Sequence, residues 1–545
     1  MKKTSEAAAR LRPGKARRRR ESGDTRRNAA RAEPGGAGSR AGSLHSLLAL
    51  LALPLVAACT QGALRVEPAA LPSASAVQRP NILLVYSDDH AQNAVSAYGG
   101  GLNHTPNLDR LAREGARFSS SFVGNSLCAP ARASALTGLH SHAHGVLRNG
   151  DELDPSLDTF PERLQAAGYR TALVGKWHLR SAPAGFDHYQ VLLGQGTYYD
   201  PELESPSGRT RIEGYTTEIL TDLALRWLEE QRTEDAPFLL MVQHKAPHRR
   251  WLPGPDQLDL FQGADFPEPP TLFDDYAGRA SGAATQEMTI ARHLDEHDLK
   301  LLPAEELTEE QLARWNAAYG PSNAAFRASP PAGKDLVRWK YRRYLADYLR
   351  CVQAVDDSVG RLLDYLDEHG LTDDTVVIYT SDQGFYLGEH GWYDKRWMYE
   401  ESLRTPLLVR WPERIPAGSV VDELVQNVDL APTLLSLAGE ESSPRVHGRS
   451  FLPLLTGRGV RDWRTSIYYR YYEFPGVHAV PKHVGVRTDR YKLIRFDELG
   501  EWELFDLARD PYELHSVWAD PVYQDVRAEL ETELERLAEG FGDRL

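Results

Sequence analysis

Five short runs of consecutive apolar residues recur along the chain, and polar residues follow most of them directly. The runs cover residues 81–86, 171–174, 238–242, 375–379 and 406–409. Apolar runs of this length, without alternation of polar residues, are typical of parallel strands that are buried on both faces of a sheet. The pattern therefore predicts a mostly parallel central sheet.

Helical periodicity separates these predicted strands. Residues 216–230 are one such segment, and residues 339–368 are the longest. In the longest segment the apolar stripe consists of Tyr341, Tyr344, Leu345, Tyr348, Val352, Val355, Val359, Leu362 and Leu366. Helices that alternate with strands predict a doubly wound α/β domain, with a large sheet flanked by helices. In this architecture ligands bind beyond the carboxyl ends of the strands.

The pattern changes after about residue 444. Short strand-like segments follow at 466–471, 484–487, 491–496 and 503–505, and a helical segment covers 523–537. We therefore predict an α/β catalytic domain at 80–444 and a smaller α+β subdomain at 445–545. Residues 253–334 are rich in Pro, Gly, Ala and acidic residues, and we interpret them as an insertion in the first domain.

The N-terminal residues are typical of an export signal. Residues 1–58 begin with a long basic leader and continue with a short apolar run that ends in small residues before Cys59. Small residues before a cysteine resemble a bacterial lipobox, which would place a lipid on Cys59; the alternative is an ordinary signal cut near Ala58. Residues 59–79 are rich in Ala, Pro and Ser and predict a flexible tether. We expect an exported protein, periplasmic or at the cell surface, anchored by that lipid.

The charge of the chain excludes some partners. The 545 residues carry a net charge of −14, and residues 1–58 contain 13 Lys and Arg against 4 Asp and Glu, so the remainder carries −23. A body this acidic does not suit nucleic acid or an anionic membrane surface. We therefore expect membrane contact only through the lipid anchor, and any anion site must be built from local cations. Three cysteines are too few for a disulfide framework.

Two pairs of polar residues follow predicted strands. Asp88-Asp89 follows the first apolar run, and Asp382-Gln383 follows the fourth. Each pair has an ordinary interpretation as helix caps or turn formers. Alternatively, the pairs converge on a hard cation, since Ca²⁺ takes about six to eight oxygen ligands. Zinc fits less well, because no His or Cys accompanies these positions at ligand spacing.

The segment 127–138 restricts the possible functions of the chain more than any other segment does. It reads Leu-Cys-Ala-Pro-Ala-Arg-Ala-Ser-Ala-Leu-Thr-Gly, and one interpretation is a buried cysteine at the start of a short helix. The full string instead resembles the signature of the type I sulfatases. In that family a maturation enzyme oxidises the cysteine of C-x-P-x-R to formylglycine. The downstream L-T-G helps this enzyme to recognise the cysteine. The matching residues are Cys128, Pro130, Arg132, Leu136, Thr137 and Gly138.

The resemblance to this family, part of the alkaline phosphatase superfamily, extends from about residue 79 to the C-terminus. Segments 175–178 (Gly-Lys-Trp-His), 246–248 (Ala-Pro-His) and 394–396 (Asp-Lys-Arg) match further family motifs in order. The resemblance implies catalytic roles for Cys128, Arg132, Lys176, His178, His248 and Lys395. It also implies one Ca²⁺ per chain, held by Asp88, Asp89, residue 128, Asp382 and Gln383. The family commonly has Asn or His as the fourth protein ligand of the metal. This chain has Gln383 there, which differs from that pattern but still supplies an amide oxygen.

The resemblance further implies a catalytic cycle. The hydrated aldehyde at residue 128, deprotonated by Asp382, attacks the sulfur atom. His248, helped by Lys395, gives a proton to the departing alcohol. His178 then accepts a proton from the second hydroxyl, and sulfate leaves. Arg132 and Lys176 would position and polarise the diol, in line with general acid–base and nucleophilic catalysis.

The sequence indicates the substrate less clearly than it indicates the reaction. Residues 471–478 and Lys482-His483 bring aromatic, His and Lys side chains together, which suits a sugar ring; an ordinary strand pair with exposed polar residues is the alternative. With residues 381–392, this stretch resembles bacterial sulfatases grouped near the N-acetylglucosamine-6-sulfatases. We therefore favour a 6-O-sulfated amino sugar of a glycan, with substrate contacts from His478, Lys482 and His483.

Two other functions compete with this interpretation. One is a phosphonate monoester or phosphodiester hydrolase of the same superfamily. The other is a lipid-anchored glycan-binding protein that has lost catalysis. The presence of the nucleophile, the cation ligands and the base candidates together argues against the second.

Overall fold

The computed structural model describes residues 79–545 except 234, 305, 306, 413, 458 and 459. The predicted leader at 1–58, the candidate lipidation site Cys59 and the tether as far as residue 78 lie outside the described residues. The described strands are β1 Asn81–Ser87, β2 Ala116–Phe118, β3 Ser121–Phe122, β4 Arg170–Lys176, β5 His188–Leu192, β6 Glu202–Ser205, β7 Gly208–Arg211, β8 Phe238–Gln243, β9 Thr375–Ser381, β10 Tyr386–Leu387, β11 Tyr393–Asp394, β12 Leu407–Arg410, β13 Ser419–Val421, β14 Val425–Gln426, β15 Ser466–Tyr471, β16 His483–Thr488, β17 Tyr491–Phe496 and β18 Glu501–Asp506.

Helices alternate with these strands along the first part of the chain. The described α-helices are α1 Pro106–Glu114, α2 Cys128–Thr137, α3 Ser141–His144, α4 Phe160–Ala166, α5 Thr216–Glu230, α6 Gly282–Thr285, α7 Ile290–His293, α8 Glu309–Ala328, α9 Gly333–Glu368, α10 Glu400–Leu403, α11 Leu430–Leu437, α12 Leu452–Leu455 and α13 Gln524–Phe541. Within the described residues, no helix combines the length and the apolar character that a membrane crossing requires.

Ten strands form the large sheet, in the order β13-β2-β12-β9-β1-β8-β4-β5-β6-β7. The central strands from β9 to β5 are all parallel, and the strands outside them pair mostly antiparallel. This arrangement confirms the predicted mostly parallel sheet. Because Tyr86 of β1 lies opposite both Gln243 of β8 and Thr380 of β9, the three central strands end at the same edge.

One predicted strand runs in the other direction. The apolar run at 406–409 forms β12, which pairs antiparallel with β9 rather than parallel. Between β9 and β12 the chain forms the short strands β10 and β11 and the four-residue helix α10, and it contains no long helix of the kind that usually crosses a sheet between parallel strands. The strand is still buried on both faces, because Leu408 joins the core on one side of the sheet and Leu407 and Val409 join the core on the other; β2 pairs with its outer edge.

The two faces of the sheet carry separate layers of helices. Alternate residues of β1, such as Leu83 and Val85, join a core that includes α1, α5 and α9. The residues between them, such as Ile82 and Leu84, join a second core with α2, α4 and α11. This separation follows from the alternation of side chains along a strand, and it confirms the doubly wound architecture.

The C-terminal strands form a smaller antiparallel sheet, in the order β15-β16-β17-β18. One face, with Tyr469 and Ile494, packs into the large core beside α9. The opposite face, with Val484 and Val486, is covered by α13 through residues such as Leu534. The small sheet is thus held between its own helix and the α/β core, as the predicted C-terminal α+β region requires.

Candidate active site

The two acidic pairs predicted from the sequence meet at one edge of the large sheet. Ser87, the last residue of β1, lies opposite Ser381, the last residue of β9, so the residues after them become neighbours. Single carboxylate oxygens of Asp88, Asp89 and Asp382 lie within 4.8 Å of one another. All three side chains are completely buried. Three carboxylates without solvent repel one another strongly unless cations accompany them.

Asp382 is the most firmly held of the three carboxylates. Its Oδ1 atom accepts hydrogen bonds from the backbone N–H groups of Asp89 (3.0 Å) and Gln383 (3.1 Å). Its Oδ2 atom accepts from Nε (3.2 Å) and Nη2 (3.0 Å) of Arg132. This forked contact fixes both the carboxylate and the guanidinium group.

Cys128 is the first residue of α2, and its side chain is completely buried. Its Sγ atom lies 3.3 Å from Oδ1 of Asp88, and Nε2 of Gln383 lies 3.5 Å from the same sulfur. Burial raises the pKa of this thiol to about 12, so the encoded side chain is protonated at neutral pH. The N-terminus of α2 points its positive dipole end at this position, where an anionic oxygen would be stabilised.

Two cations approach the carboxylate of Asp88, Lys176 from the end of β4 and Arg132 from α2. Lys176 contacts Asp88 directly, and Arg132 lies 3.3 Å from the same carboxylate. Arg132 also donates to the backbone oxygen of Lys176 at 2.9 Å. Gly175 precedes this lysine, and only glycine fits there. Its φ is +115°, and an added Cβ atom would lie 1.9 Å from the backbone oxygen of Gln243.

Lys395 and His248 converge on Asp89 from the other side. Nζ of Lys395 lies 2.6 Å from Oδ2 of Asp89, and Nε2 of His248 lies 3.7 Å from that oxygen. Although burial opposes it, the carboxylate of Asp89 raises the pKa of Lys395 above its ordinary value. Burial, together with the charge of Lys395, holds the pKa of His248 well below its ordinary value. His248 is therefore neutral here, and its Nδ1–H donates to the backbone oxygen of Arg249 at 2.8 Å.

His178 lies at the rim of the site, where a cavity of about 710 Å³ begins. The cavity extends from His178 along Arg180, Tyr189, Gln195 and Glu204. Nδ1 of His178 is buried and has no hydrogen-bond partner in the described part of the chain. Burial and the nearby cations lower the pKa of His178 to about 2, so its imidazole is neutral at neutral pH.

The donor set of the acidic edge fits a hard cation. Asp88, Asp89 and Asp382 supply carboxylate oxygens, and Oε1 of Gln383 is buried without a hydrogen-bond partner among the described residues. An amide oxygen in this position has an unsatisfied lone pair that a cation would satisfy. Oxygen ligands of this kind suit Ca²⁺ or Mg²⁺ better than Zn²⁺.

The three C-terminal residues expected to contact substrate have different surroundings. Nε2 of His478 lies 3.2 Å from Oδ2 of Asp394, so it adjoins the site as a buried partner of the residue before Lys395. Nζ of Lys482 forms a surface ion pair with Glu498 at 3.0 Å. His483 is completely buried in a cluster of aromatic side chains. The expected sugar contacts of Lys482 and His483 are therefore not supported, because the first has another partner and the second has no solvent access.

The structure adds residues to the site that the sequence patterns did not single out. Gln243 accepts a hydrogen bond from Arg132, and Lys245 lies nearby with its ammonium group 5.1 Å from the ring centre of Tyr198. Gln243 and Lys245 follow the third apolar run, so their position after a predicted strand could have identified them as candidate site residues. Tyr198 had no such signal, because it lies in the irregular stretch between β5 and β6.

Comparison with known proteins agrees with this geometry. Residues 80–440 match the family model described as "Sulfatase". Residues 388–540 match the model described as "N-sulphoglucosamine sulphohydrolase, C-terminal".

Individual relatives extend the similarity over most of the chain. An N-acetylglucosamine-6-O-sulfatase of Bacteroides thetaiotaomicron is 43% identical, over 90% of this chain and 91% of that protein. The human N-acetylglucosamine-6-sulfatase is 29% identical, over 73% of this chain and 68% of its own length. A solved structure of a protein with its substrate D-glucosamine-2-N,6-O-disulfate matches with a TM-score of 0.83 at 44% identity, covering 85% of this chain and 98% of that chain.

Proposed function

Given that this chain belongs to the sulfatase family and hydrolyses sulfate esters, we propose that its substrate is a glycan-derived glucosamine residue that carries a 6-O-sulfate. The observation that carries the proposal is the 43% identity to an N-acetylglucosamine-6-O-sulfatase over nine-tenths of both chains. The structural match to a protein that binds a 6-O-sulfated glucosamine supports the same substrate class. Phosphonate and phosphodiester hydrolysis remain competing activities to be measured beside it.

We expect a maturation enzyme to convert Cys128 into formylglycine. When hydrated, this group supplies a diol oxygen as the nucleophile, and Sγ of the encoded cysteine stands in for that oxygen. The contact between Sγ and Asp88 supports this assignment, because it brings residue 128 to the edge of the acidic cluster. Arg132 and Lys176 both lie beside Asp88, which residue 128 contacts, so their positive charges would stabilise the negative charge of the nucleophile.

The proton transfers can be assigned to two histidines. His248 adjoins Lys395 and Asp89, so its Nε2 atom is available to the oxygen that leaves with the sugar. An anionic sulfate beside it would raise its pKa and allow it to carry the proton it must give. His178 lies on the other side at the mouth of the cavity with a neutral imidazole, and the negative charge of a sulfated residue 128 beside it would raise its pKa and allow it to accept a proton.

We propose that Ca²⁺ occupies the acidic edge, where Asp88, Asp89, Asp382, Gln383 and residue 128 would hold it and where it would supply positive charge for the nucleophile and the sulfate. Asp89→Asn should remove one carboxylate charge and reduce the metal content from about one Ca²⁺ per chain to a small fraction. We expect kcat to fall by at least about 10²-fold, a loss comparable to that of one oxyanion-stabilising group. Elemental analysis of wild-type and variant protein tests this expectation. Two zinc ions per chain in the wild type would contradict it.

We also propose that the mature protein is exported and anchored at the cell surface or in the periplasm. The basic leader, the apolar run and the small residues before Cys59 support this proposal. Labelling cells with a radioactive fatty acid would test the anchor, with Cys59→Ala as the variant that should lose the label.

The substrate assignment is tested with defined monosaccharides. Purified protein that has been co-expressed with a maturation enzyme should release sulfate from N-acetylglucosamine-6-sulfate. We expect its kcat/KM on the 3-sulfate isomer to be lower by about 10²-fold or more, because a misplaced ester cannot reach the nucleophile. Ion chromatography of released sulfate measures both reactions. Faster turnover of a phenylphosphonate monoester than of every sulfated sugar would favour the competing hydrolase activity.

A further inference from the structure

Lys245 is a fourth cation of the site, and it differs from the other three in its partners. Arg132, Lys176 and Lys395 each contact a carboxylate of the acidic edge. Lys245 is only 6% exposed, yet among the described residues its Nζ atom has no carboxylate within 4.0 Å and no hydrogen-bond acceptor. The side chain is therefore mostly buried, while its ammonium group keeps some solvent access and has no counter-ion within the described part of the chain, so this position suits an anion that is brought in by a ligand.

The position of Lys245 is fixed relative to His248. The backbone N–H of His248 donates to the backbone oxygen of Lys245 at 3.0 Å, which closes a turn between them. The hydroxyl group of Tyr198 donates to the backbone oxygen of His248 at 2.5 Å, and the ring of the same tyrosine lies 5.1 Å from Nζ of Lys245. One buried aromatic side chain therefore supports both the histidine and the lysine.

The electrostatic surroundings of Lys245 identify the part of the site that it faces. Burial lowers its pKa to about 8, and Asp89 and Cys128 are the neighbours that oppose this most. Those two residues flank the place where the sulfur atom must lie for attack by residue 128. The turn to His248, whose Nε2 atom lies 3.7 Å from Oδ2 of Asp89, agrees with this position, so the ammonium group lies on the side of the site where a sulfate ester attacked by residue 128 would bind.

We propose that Lys245 is a sulfate-binding residue whose ammonium group donates to a non-bridging oxygen of the sulfate ester being cleaved. This inference rests on the proposed function, since it assumes a sulfate ester at residue 128. Among the described cations of the site, Arg132, Lys176 and Lys395 each pair with a carboxylate, whereas Lys245 pairs with none and is available to the substrate. Lys245 undergoes no covalent change. It supplies positive charge to the sulfate and fixes the position of the sulfate.

The test compares Lys245→Met with Lys245→Arg on three sulfate esters. The esters are 4-nitrophenyl sulfate, N-acetylglucosamine-6-sulfate and glucosamine-2-N,6-O-disulfate. We expect Lys245→Met to lower kcat/KM by roughly 10²–10³-fold on all three, because all three share only the cleaved sulfate. Inhibition by inorganic sulfate should weaken in parallel, and Lys245→Arg should restore part of both. Lys334→Met, an exposed lysine at the start of α9, is the matched control that should leave the kinetics unchanged.

Each other outcome overturns the inference in a recognisable way. A loss confined to the disulfate would mean that Lys245 recognises a second anionic group. An undiminished kcat/KM with unchanged sulfate inhibition would mean that the lysine has only a packing role beside Tyr198. If Lys245→Met does not fold, inhibition of Lys245→Arg by inorganic sulfate still tests the inference. A sulfate-binding role predicts weaker inhibition than in the wild type, whereas a packing role predicts unchanged inhibition. Wild-type protein that is matured yet inactive on all three esters would instead refute the proposed function.

Discussion

Replacing Cys128 with alanine should lower kcat on N-acetylglucosamine-6-sulfate by on the order of 10⁴-fold or more, to the limit of detection. The substitution removes the atom that lies 3.3 Å from Asp88 at the N-terminus of α2 and leaves the surrounding charges in place. Loss of a nucleophile from an intact site typically has an effect of this size. Steady-state sulfate release measures the loss.

Cys128→Ser is the matched variant for this prediction. Serine restores an oxygen beside Asp88 but carries one hydroxyl group instead of the two of a hydrated aldehyde. We expect at most a small burst of product without sustained turnover, because no second hydroxyl is available for His178 to deprotonate. Sustained turnover by Cys128→Ser at a rate near that of the wild type would contradict the role assigned to the modified residue.

Replacing His248 with alanine should separate sugar sulfates from activated aryl sulfates. A sugar alkoxide is a strongly basic leaving group and needs a proton, whereas 4-nitrophenolate needs almost none. General acid catalysis typically contributes about 10²–10⁴-fold, so kcat on N-acetylglucosamine-6-sulfate should fall by that factor and kcat on 4-nitrophenyl sulfate far less. The geometry supports this role, since Nδ1 is engaged by the backbone of Arg249 and Nε2 faces the site.

His178→Ala provides the contrast. If His178 acts after the alcohol has left, its loss should slow both kinds of substrate by similar factors. Equal losses on the two kinds of substrate for His248→Ala would remove its role as the acid and leave it as a sulfate-binding group. Circular dichroism of both variants checks that the fold is retained.

Much of the site could be predicted because its residues follow buried strands. Asp88 and Asp382 each directly follow the last residue of a strand, and parallel strands that end together bring such residues to one edge. The same rule extends to Lys176 at the end of β4. Local hydrophobic patterning therefore located the carboxylates and Lys176, whereas Arg132, His248 and Lys395 were expected only from the resemblance to the sulfatases.

Other features depend on contacts that local patterns do not contain. The direction of β12 depends on the connection from β9, which contains no long crossover helix, and the apolar run of β12 would look the same in either direction. Tyr198 meets Lys245 and His248 across about fifty residues of sequence, through contacts made only when the sheet forms. These features arise from tertiary packing, which composition and periodicity do not specify.

His483 illustrates a second limit. Aromatic and histidine side chains suit a sugar ring and an aromatic core equally well, so their clustering in 471–483 left both interpretations open. In the structure His483 begins β16 on the face that packs against Trp397 and Tyr469. The next residue, Val484, faces α13 instead. The alternation along this strand therefore assigns the histidine to the core.

The most direct test of the account follows the state of residue 128 and the activity in the same preparations. Protein is produced with increasing amounts of a maturation enzyme, the peptide that contains Cys128 is analysed by mass spectrometry, and sulfate release from N-acetylglucosamine-6-sulfate is measured in parallel. We predict that the rate rises in proportion to the fraction of peptide that carries the lighter aldehyde in place of the thiol. Full activity in a preparation that contains only unmodified Cys128 would contradict the account.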